Sequence, residues 1–300
     1  MHANELFDKV TADLITAIEN GASGWRMPWH CLANGTPRSA DGRLYRGWNA
    51  LVLAMVAADR GWTAGTWATY KTWAKHGCQV RRGERGTHIV LWKQTERTNP
   101  TDDDKTTRSL LARSFVVFAA EQVDNAERFT TTDERTPAKR IQQADTYFAA
   151  IGADIVHGGS QASYSPTLDL IRLPHPDQFE RAADYYSTSA HEHTHRTGHP
   201  SRLARDLTGR FGERSYGAEE LVAELGAAFW CAQFGLEQAT RGDHAAYLGD
   251  WIGLLRSDSR ALLAACGHAQ RAVDHLNEAA CSTCSKATDR SVPSLVIGAD

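Results

Sequence analysis

Apolar positions at helical spacing open the chain. Leu6, Val10, Leu14, Ala17 and Ile18 line one face of a first helix that ends near Gly21. Residues 21–47 are rich in Gly, Pro and Ser and read as loop. Trp48 to Ala58 is a strongly apolar helix. Thr66 or Thr69 caps a short helix that runs through Lys75 and closes at Gly77. Val80-Arg81-Arg82-Gly83-Glu84-Arg85-Gly86 reads as a strand, a turn and the entry to the next strand. His88 to Lys93 and Ser114 to Ala120 are apolar runs of strand length. The polar stretch between them, Gln94 to Arg113, reads as a long exposed loop. Residues 129–136 read as a linker, and Pro137 starts a helix that runs to about Ala150. Short strands at 154–157, 162–164 and 168–173 follow, and then a helix that stops at Gly198 with Pro200 behind it. A further helix carries Glu219, Glu220 and Glu224 at its start, followed by the very apolar Leu225–Phe234.

This alternation of strands and helices predicts an α+β protein of two domains. The first covers residues 1–128. The second, 137–280, is mainly helical with a small β-sheet, and 281–300 is a polar tail. A length of 300 residues supports two domains. Apolar residues at 42% and charged ones at 23% are ordinary for a soluble globular chain, and no run is long enough to span a membrane. The N-terminus lacks a signal-peptide core. Six scattered cysteines in a chain of this length argue for reduced thiols and a cytoplasmic location. Cys281 and Cys284 form a lone C-x-x-C, too little for a metal site.

Charge sharpens the division. Residues 1–95 hold 12 lysines and arginines against 7 acids, whereas the rest hold 21 against 29. Seven of the nine tryptophans also lie in the first 95 residues. A basic, aromatic-rich part therefore precedes an acidic one.

The chemistry concentrates in Ser189-Ala190-His191-Glu192-His193-Thr194-His195. His191 and His195 are four apart and share one helix face, so both imidazoles can reach a single Zn²⁺. Glu192 lies between them, placed to take a proton from an activated water. A third histidine ligand at position 201 is excluded, because Ser201 stands there. Glu220 is the better third ligand. Glu224, one turn on, can receive the N–H of a ligating histidine, with His191 the partner expected. Glu219 points about 100° away from that pair. His193 and His199 read as surface residues. Tyr216 is a candidate to stabilise an oxyanion.

In the first part, basic and aromatic residues interleave. Single strands are held by cationic grooves and stacked rings. Arg46, Trp48, Asn49, Lys71, Trp73 and Lys75 fit that pattern, and Arg81, Arg82 and Arg85 around a glycine turn could clamp a backbone. The opposing reading makes the tryptophans core and the arginines a solvated face. No helix-turn-helix, zinc-finger or RRM signature is present, so sequence-specific readout is unsupported.

These blocks carry a resemblance. Tyr185-Tyr186-x₄-His191-Glu192-x₂-His195-Arg196-Thr197-Gly198-His199-Pro200, with Tyr216-x₂-Glu219-Glu220-Leu221-Val222-Ala223-Glu224, resembles the zincin-like domain of ArdC-type antirestriction proteins. Tyr45-Arg46-Gly47-x-Asn49, Val80-x₂-Gly83-Glu84-x-Gly86 and Val117-Phe118-x₂-Glu121-Gln122-Val123 resemble that family's N-terminal domain, which is similar to a region of TraC-type plasmid primases. The resemblance spans most of residues 3–275. It implies a plasmid-borne protein that binds single-stranded DNA through its N-terminal domain and protects incoming conjugative DNA from restriction. It also implies a divalent metal, Zn²⁺ or another such as Mn²⁺, on His191, His195 and Glu220, with Glu192 as acid/base. A host protein, such as a restriction-system component, is the substrate such a site would take. Two alternatives stay open: a DNA-binding protector whose metal is structural, and a cytosolic peptidase with no DNA role.

Overall fold

Helix α1 (Ala3–Gly21) buries the row its spacing selects, Leu6, Val10, Leu14 and Ile18. The computed structural model describes residues 3–21, 28–62, 65–98, 106–129, 135–206, 214–238 and 244–289. It divides into two compact units, residues 1–133 with 241–267, and residues 134–240 with 268–300.

In the first unit a 3₁₀ turn over Pro28–Asn34 leads to β1 (Arg38–Ser39) and α2 (Gly47–Asp59). Then come β2 (Thr66–Ala68), α3 (Tyr70–Lys75), β3 (Gln79–Val80), β4 (Thr87–Thr98), β5 (Thr106–Ala119) and β6 (Val123–Asp124). One sheet has the order β1-β2-β5-β4, with β1 parallel to β2 and the other pairs antiparallel. β3 pairs separately with β6. The largely apolar α2 buries eight of its thirteen residues, Leu51 and Leu53 among them. Of the two candidate caps for α3 it is Thr69 that acts, accepting from the Thr72 N–H at 3.2 Å.

The stretch expected as a loop at 94–113 is instead the far half of a long hairpin. β4 and β5 stay in register from Thr87↔Val117 out to Thr98↔Thr106, and residues 99–105 lie outside the described ones. Apart from Leu110, Leu111 and Ala112 the segment is polar, so it gives no alternation to read, but β-branched Thr95, Thr98, Thr106 and Thr107 favour extended backbone.

The second unit starts with α4 (Pro137–Ile151), capped by Thr136 with Pro137 in its first turn. β7 (Ile155–His157), β8 (Ser163–Ser165) and β9 (Leu170–Leu173) make a sheet of order β7-β9-β8. The central β9 turns Ile171 and Leu173 inward and Arg172 outward. Helix α5 (Ala182–Thr197) packs on α6 (Arg214–Phe234) and against β8 and β9. Ten of its residues are buried, and they include polar ones, so their hydrogen-bond partners must come from inside the fold. Beside it Trp230 stacks on Phe234 with ring centroids 4.4 Å apart and meets Phe148 at a tilt, 4.7 Å away.

The chain then returns. Helix α7 (His244–Ser257), expected in the second domain, belongs to the first unit and packs on α1. Trp251 is its anchor, fully buried and edge-on to Trp29 at 5.5 Å. Helix α8 (Ala261–Asp289) contains the boundary between the units, at Gly267 and His268. It runs through Cys281 and Cys284, so the start of the expected polar tail is helical. Cys281 is exposed and in no disulfide. Among the described residues no helix is long and apolar enough to cross a membrane.

Candidate metal centre

Helix α5 places His191 and His195 one turn apart, with their Nε2 atoms separated by 3.1 Å. The carboxylate of Glu220 on α6 closes the third side: Oε2 lies 3.5 Å from His191 Nε2, and Oε1 lies 3.5 Å from His195 Nε2. Among the described residues these three form the group able to hold a metal ion, their ligand atoms all within 4.8 Å of one another. Tetrahedral ligands about 2.0–2.1 Å from an ion sit roughly 3.3 Å apart. The observed spacing matches that edge.

The outer nitrogens explain the direction of the inner ones. His191 Nδ1 lies 3.0 Å from Glu224 Oε1, and His195 Nδ1 lies 3.2 Å from Glu219 Oε1. A proton on each Nδ1 meets a carboxylate, which leaves both Nε2 lone pairs pointing at one another. Two converging lone pairs beside a carboxylate call for a cation between them, so the donor set fits a divalent metal.

Electrostatics say the same. Burial alone would keep His195 neutral, but the Glu220 and then the Glu219 carboxylates outweigh it and raise its pKa to about 10. Burial works against the Glu220 anion too, yet His195 and His191 hold its pKa far below the usual carboxylate range. The pocket is built around positive charge.

Both supporting carboxylates are anchored. Gln238 Nε2 donates to Glu224 Oε2 at 3.0 Å and to the Glu224 carbonyl at 3.1 Å. Arg205 donates to Glu219 from Nε at 3.0 Å and from a terminal nitrogen at 2.8 Å. The same guanidinium reaches Thr197 Oγ1 at 2.8 Å and the Thr194 carbonyl at 2.6 Å, which ties the end of α5 to α6.

Glu224 therefore stands at His191, the partner expected of the two histidines. Glu219, Arg205 and Gln238 are additions that the sequence reading missed. Glu219 turns away from the Glu220–Glu224 face, but two histidines present two outer nitrogens in different directions. A second carboxylate on a second face is what the second imidazole needs.

Glu192 is buried within α5 between the two histidines. The side chain of Tyr216 lies outside the described residues. His193 is not the surface residue expected. It is fully buried, its Nδ1 lies 2.7 Å from the Ser189 carbonyl, and its ring centroid is 4.5 Å from that of Phe148. Burial pushes its pKa down to about 4.

The residues proposed to touch DNA divide sharply. Trp48 is buried edge-on to Phe7 at 5.3 Å. Trp73 is fully buried, donates its indole N–H to the Phe118 carbonyl at 3.0 Å and meets Phe129 edge-on. Neither ring has a face for a base; both are core, which corrects that expectation. Asn49 is committed as well. Its amide donates to the Val90 carbonyl at 2.7 Å and accepts from the Val90 N–H at 2.9 Å. It works as a one-residue strand that seals the open edge of β4. Arg81 donates to Glu84 at 3.2 Å and to the Glu121 carbonyl. Arg46, Lys71, Lys75, Arg82 and Arg85 are exposed.

Comparison with known proteins follows this division. Residues 4–118 match the family model described as the N-terminal domain of anti-restriction factor ArdC, and residues 142–268 match that of a zincin-like metallopeptidase. Protein y4eC of Sinorhizobium fredii is 41% identical over 286 residues, covering 91% of this chain and 92% of that protein. A DNA primase TraC of Escherichia coli is 36% identical over 290 residues, 89% of this chain but 26% of the primase. The crystal structure of the antirestriction protein ArdC from plasmid R388 superposes in its metal-free form with a TM-score of 0.76 at 37% identity, covering 92% of this chain and 98% of that one. Its Mn(II)-bound form gives 0.75 at 35% identity, with the same coverage. The chain belongs to the ArdC antirestriction family, an ArdC N-terminal domain joined to a zincin-like metallopeptidase domain.

Proposed function

We propose that this antirestriction protein binds single-stranded DNA through its first unit and cleaves a protein substrate at the His191–His195–Glu220 centre. The convergence of two Nε2 atoms and a carboxylate at metal-ligand spacing carries the reading. A divalent ion held there supplies Lewis acidity. Glu192 takes the proton of the attacking water and returns it to the leaving amine. Glu224 and Glu219 fix the tautomers of the histidines and raise their basicity. The donor set of two nitrogens and one carboxylate, with no thiolate, suits Zn²⁺ and Mn²⁺ alike. Mn²⁺ gains weight from the Mn(II) form of the R388 protein. A restriction-system component of the recipient is the substrate that would connect cleavage to protection of incoming DNA.

The test is Glu192→Ala in the full chain. The expected result is a fall in conjugation frequency into a restricting host to the level without the protein, with binding to a labelled single strand unchanged. Full protection by the variant would assign the metal a structural role. Absence of salt-dependent binding to single strands would remove the DNA role.

A further inference from the structure

With Trp48 and Trp73 in the core, base stacking needs another ring. Among the described residues of the first unit, the aromatic side chains that stand well out of the core are Tyr70, 53% exposed, and Phe115, 39% exposed. Their surroundings differ. On its face of the β4–β5 hairpin Phe115 sits opposite Ile89 and diagonal to Leu91, with Arg113 the nearby cation in register.

Tyr70 opens α3 beside Lys71, and Lys75 follows on the same short helix. Its hydroxyl accepts from Gln79 Nε2 at 3.0 Å, and Gln79 in turn donates to the Val80 carbonyl at 2.9 Å. The phenol is thus fixed against β3 while its ring remains exposed. A ring already held loses little freedom when a base stacks on it.

The other end of β3 runs into the turn of Arg82 and Arg85. Buried Gln122 holds that turn, donating to Glu84 Oε2 at 3.0 Å and to the Arg85 carbonyl at 2.9 Å while its own oxygen accepts from the Ala119 N–H. Gly86 lets the turn press onto β5: a methyl there would lie 2.9 Å from the Val117 carbonyl. Arg81 is spent on Glu84 and Asp124. Arg82 and Arg85, like Lys71 and Lys75, are exposed and have no ion-pair partner among the described residues. A fixed ring and four uncompensated cations flank one two-residue strand.

We propose that single-stranded DNA crosses the surface around β3, with a base stacked on Tyr70 and phosphates held by Arg82, Arg85 and Lys71. The placement rests on the single-strand reading above and narrows it to one surface. It also separates two kinds of contact that salt tells apart. Phosphate contacts release counterions, whereas stacking does not.

The experiment is fluorescence anisotropy of a labelled oligothymidylate with the full-length protein over a range of salt. Tyr70→Ala is expected to weaken binding by about 5- to 150-fold, the worth of one stacked base, with the salt slope unchanged. Tyr70→Phe keeps the ring but loses the Gln79 bond and is expected to recover most of the affinity, within a few-fold of the wild type, while unchanged urea unfolding of Tyr70→Ala excludes a general folding defect. Arg82→Ala with Arg85→Ala should reduce the slope of log K against log salt by about 1.4. Phe115→Ala should leave both quantities alone. Tyr70→Ala binding within about twofold of wild type, or the loss falling on Phe115→Ala instead, would overturn the placement. Wild-type protein that ignores the oligonucleotide altogether would sink the single-strand reading itself.

Discussion

Gly226 on α6 faces Thr194 on α5 so closely that a methyl at 226 would lie 2.5 Å from Thr194 Oγ1. That approach sets the distance between the two helices which supply the metal centre, α5 giving the imidazoles and α6 the three carboxylates. The Thr194 hydroxyl cannot swing away freely, because it donates to the Ala190 carbonyl at 2.8 Å. Gly226→Ala should therefore cost about 1–3 kcal/mol of stability and weaken Mn²⁺ binding together. Adding Thr194→Ala should return part of both. Denaturant unfolding and metal titration of the two single variants and the double would show it, and strictly additive losses would mean the helices are not in conflict there.

Arg205 is the only partner of Glu219 besides His195 among the interactions described. Removing it leaves the buried carboxylate with His195 alone, so Arg205→Ala is expected to destabilise the protein by urea unfolding, by less than the roughly 3–5 kcal/mol of a fully unpaired buried charge. Glu224→Gln and Glu219→Gln keep the fold but lose the anions behind the imidazoles, and each should weaken metal binding about 10- to 100-fold in competition with a chelator. An unchanged affinity in both would show that these carboxylates do not support the ligands.

Metal and stability are linked. Mn²⁺ or Zn²⁺ at about one hundred times its dissociation constant should stabilise the native protein by about 2.7 kcal/mol. Chelator should reverse this, and His195→Ala should abolish it. A melting profile indifferent to both metals would contradict the geometry of the site.

Acid stability should depend on Asp169. Arg202 donates to it from two guanidinium nitrogens, one at 2.9 Å, and Tyr164 donates at 2.8 Å. The Arg202 bonds, opposed by burial and aided by Tyr164, hold its pKa down to about 2. In the unfolded chain the same group titrates near its ordinary value of about 3.9 and so takes up a proton first. Its contribution is whole above that value and drains away as pH falls toward 2. Asp169→Asn should flatten the loss of stability between about pH 5 and pH 2. Parallel curves for variant and wild type would reject the assignment.

Asn49 should matter for solubility more than for DNA. Asn49→Ala leaves the Val90 N–H and C=O at an open sheet edge, a loss of about 1–3 kcal/mol, and exposes a template for another strand. Lower stability with concentration-dependent association is expected by unfolding and light scattering. A variant that stays monomeric and fully stable but loses oligonucleotide binding would return Asn49 to the interface.

How much of this was legible beforehand follows from where each signal lives. His191, Glu192 and His195 sit within five residues, and helical periodicity alone brings the imidazoles together. Glu220 and Glu224 needed one further step, that acids beside an apolar run must have partners. Glu219 carried the same sign but lies about 100° from that pair, and Arg205 carried none, because their roles depend on which way two imidazole rings turn. The tryptophans misled for a related reason. A residue both apolar and able to stack looks the same in sequence whether core or surface takes it, and only the packing of Phe7 on Trp48 and Phe129 on Trp73 decides. The hairpin at 94–113 was hidden because its residues, mostly polar, show no apolar–polar alternation.

The return of α7 to the first unit makes the order along the gene a poor guide to where the protein can be cut. A fragment stopped near residue 133 keeps every residue matched to the ArdC N-terminal family yet strips Trp251 from Trp29 and uncovers α1. Such a piece would be sticky and would misreport DNA affinity. A piece meant to stand for the first unit has to carry residues 241–267 along with 1–133, so that α7 stays attached.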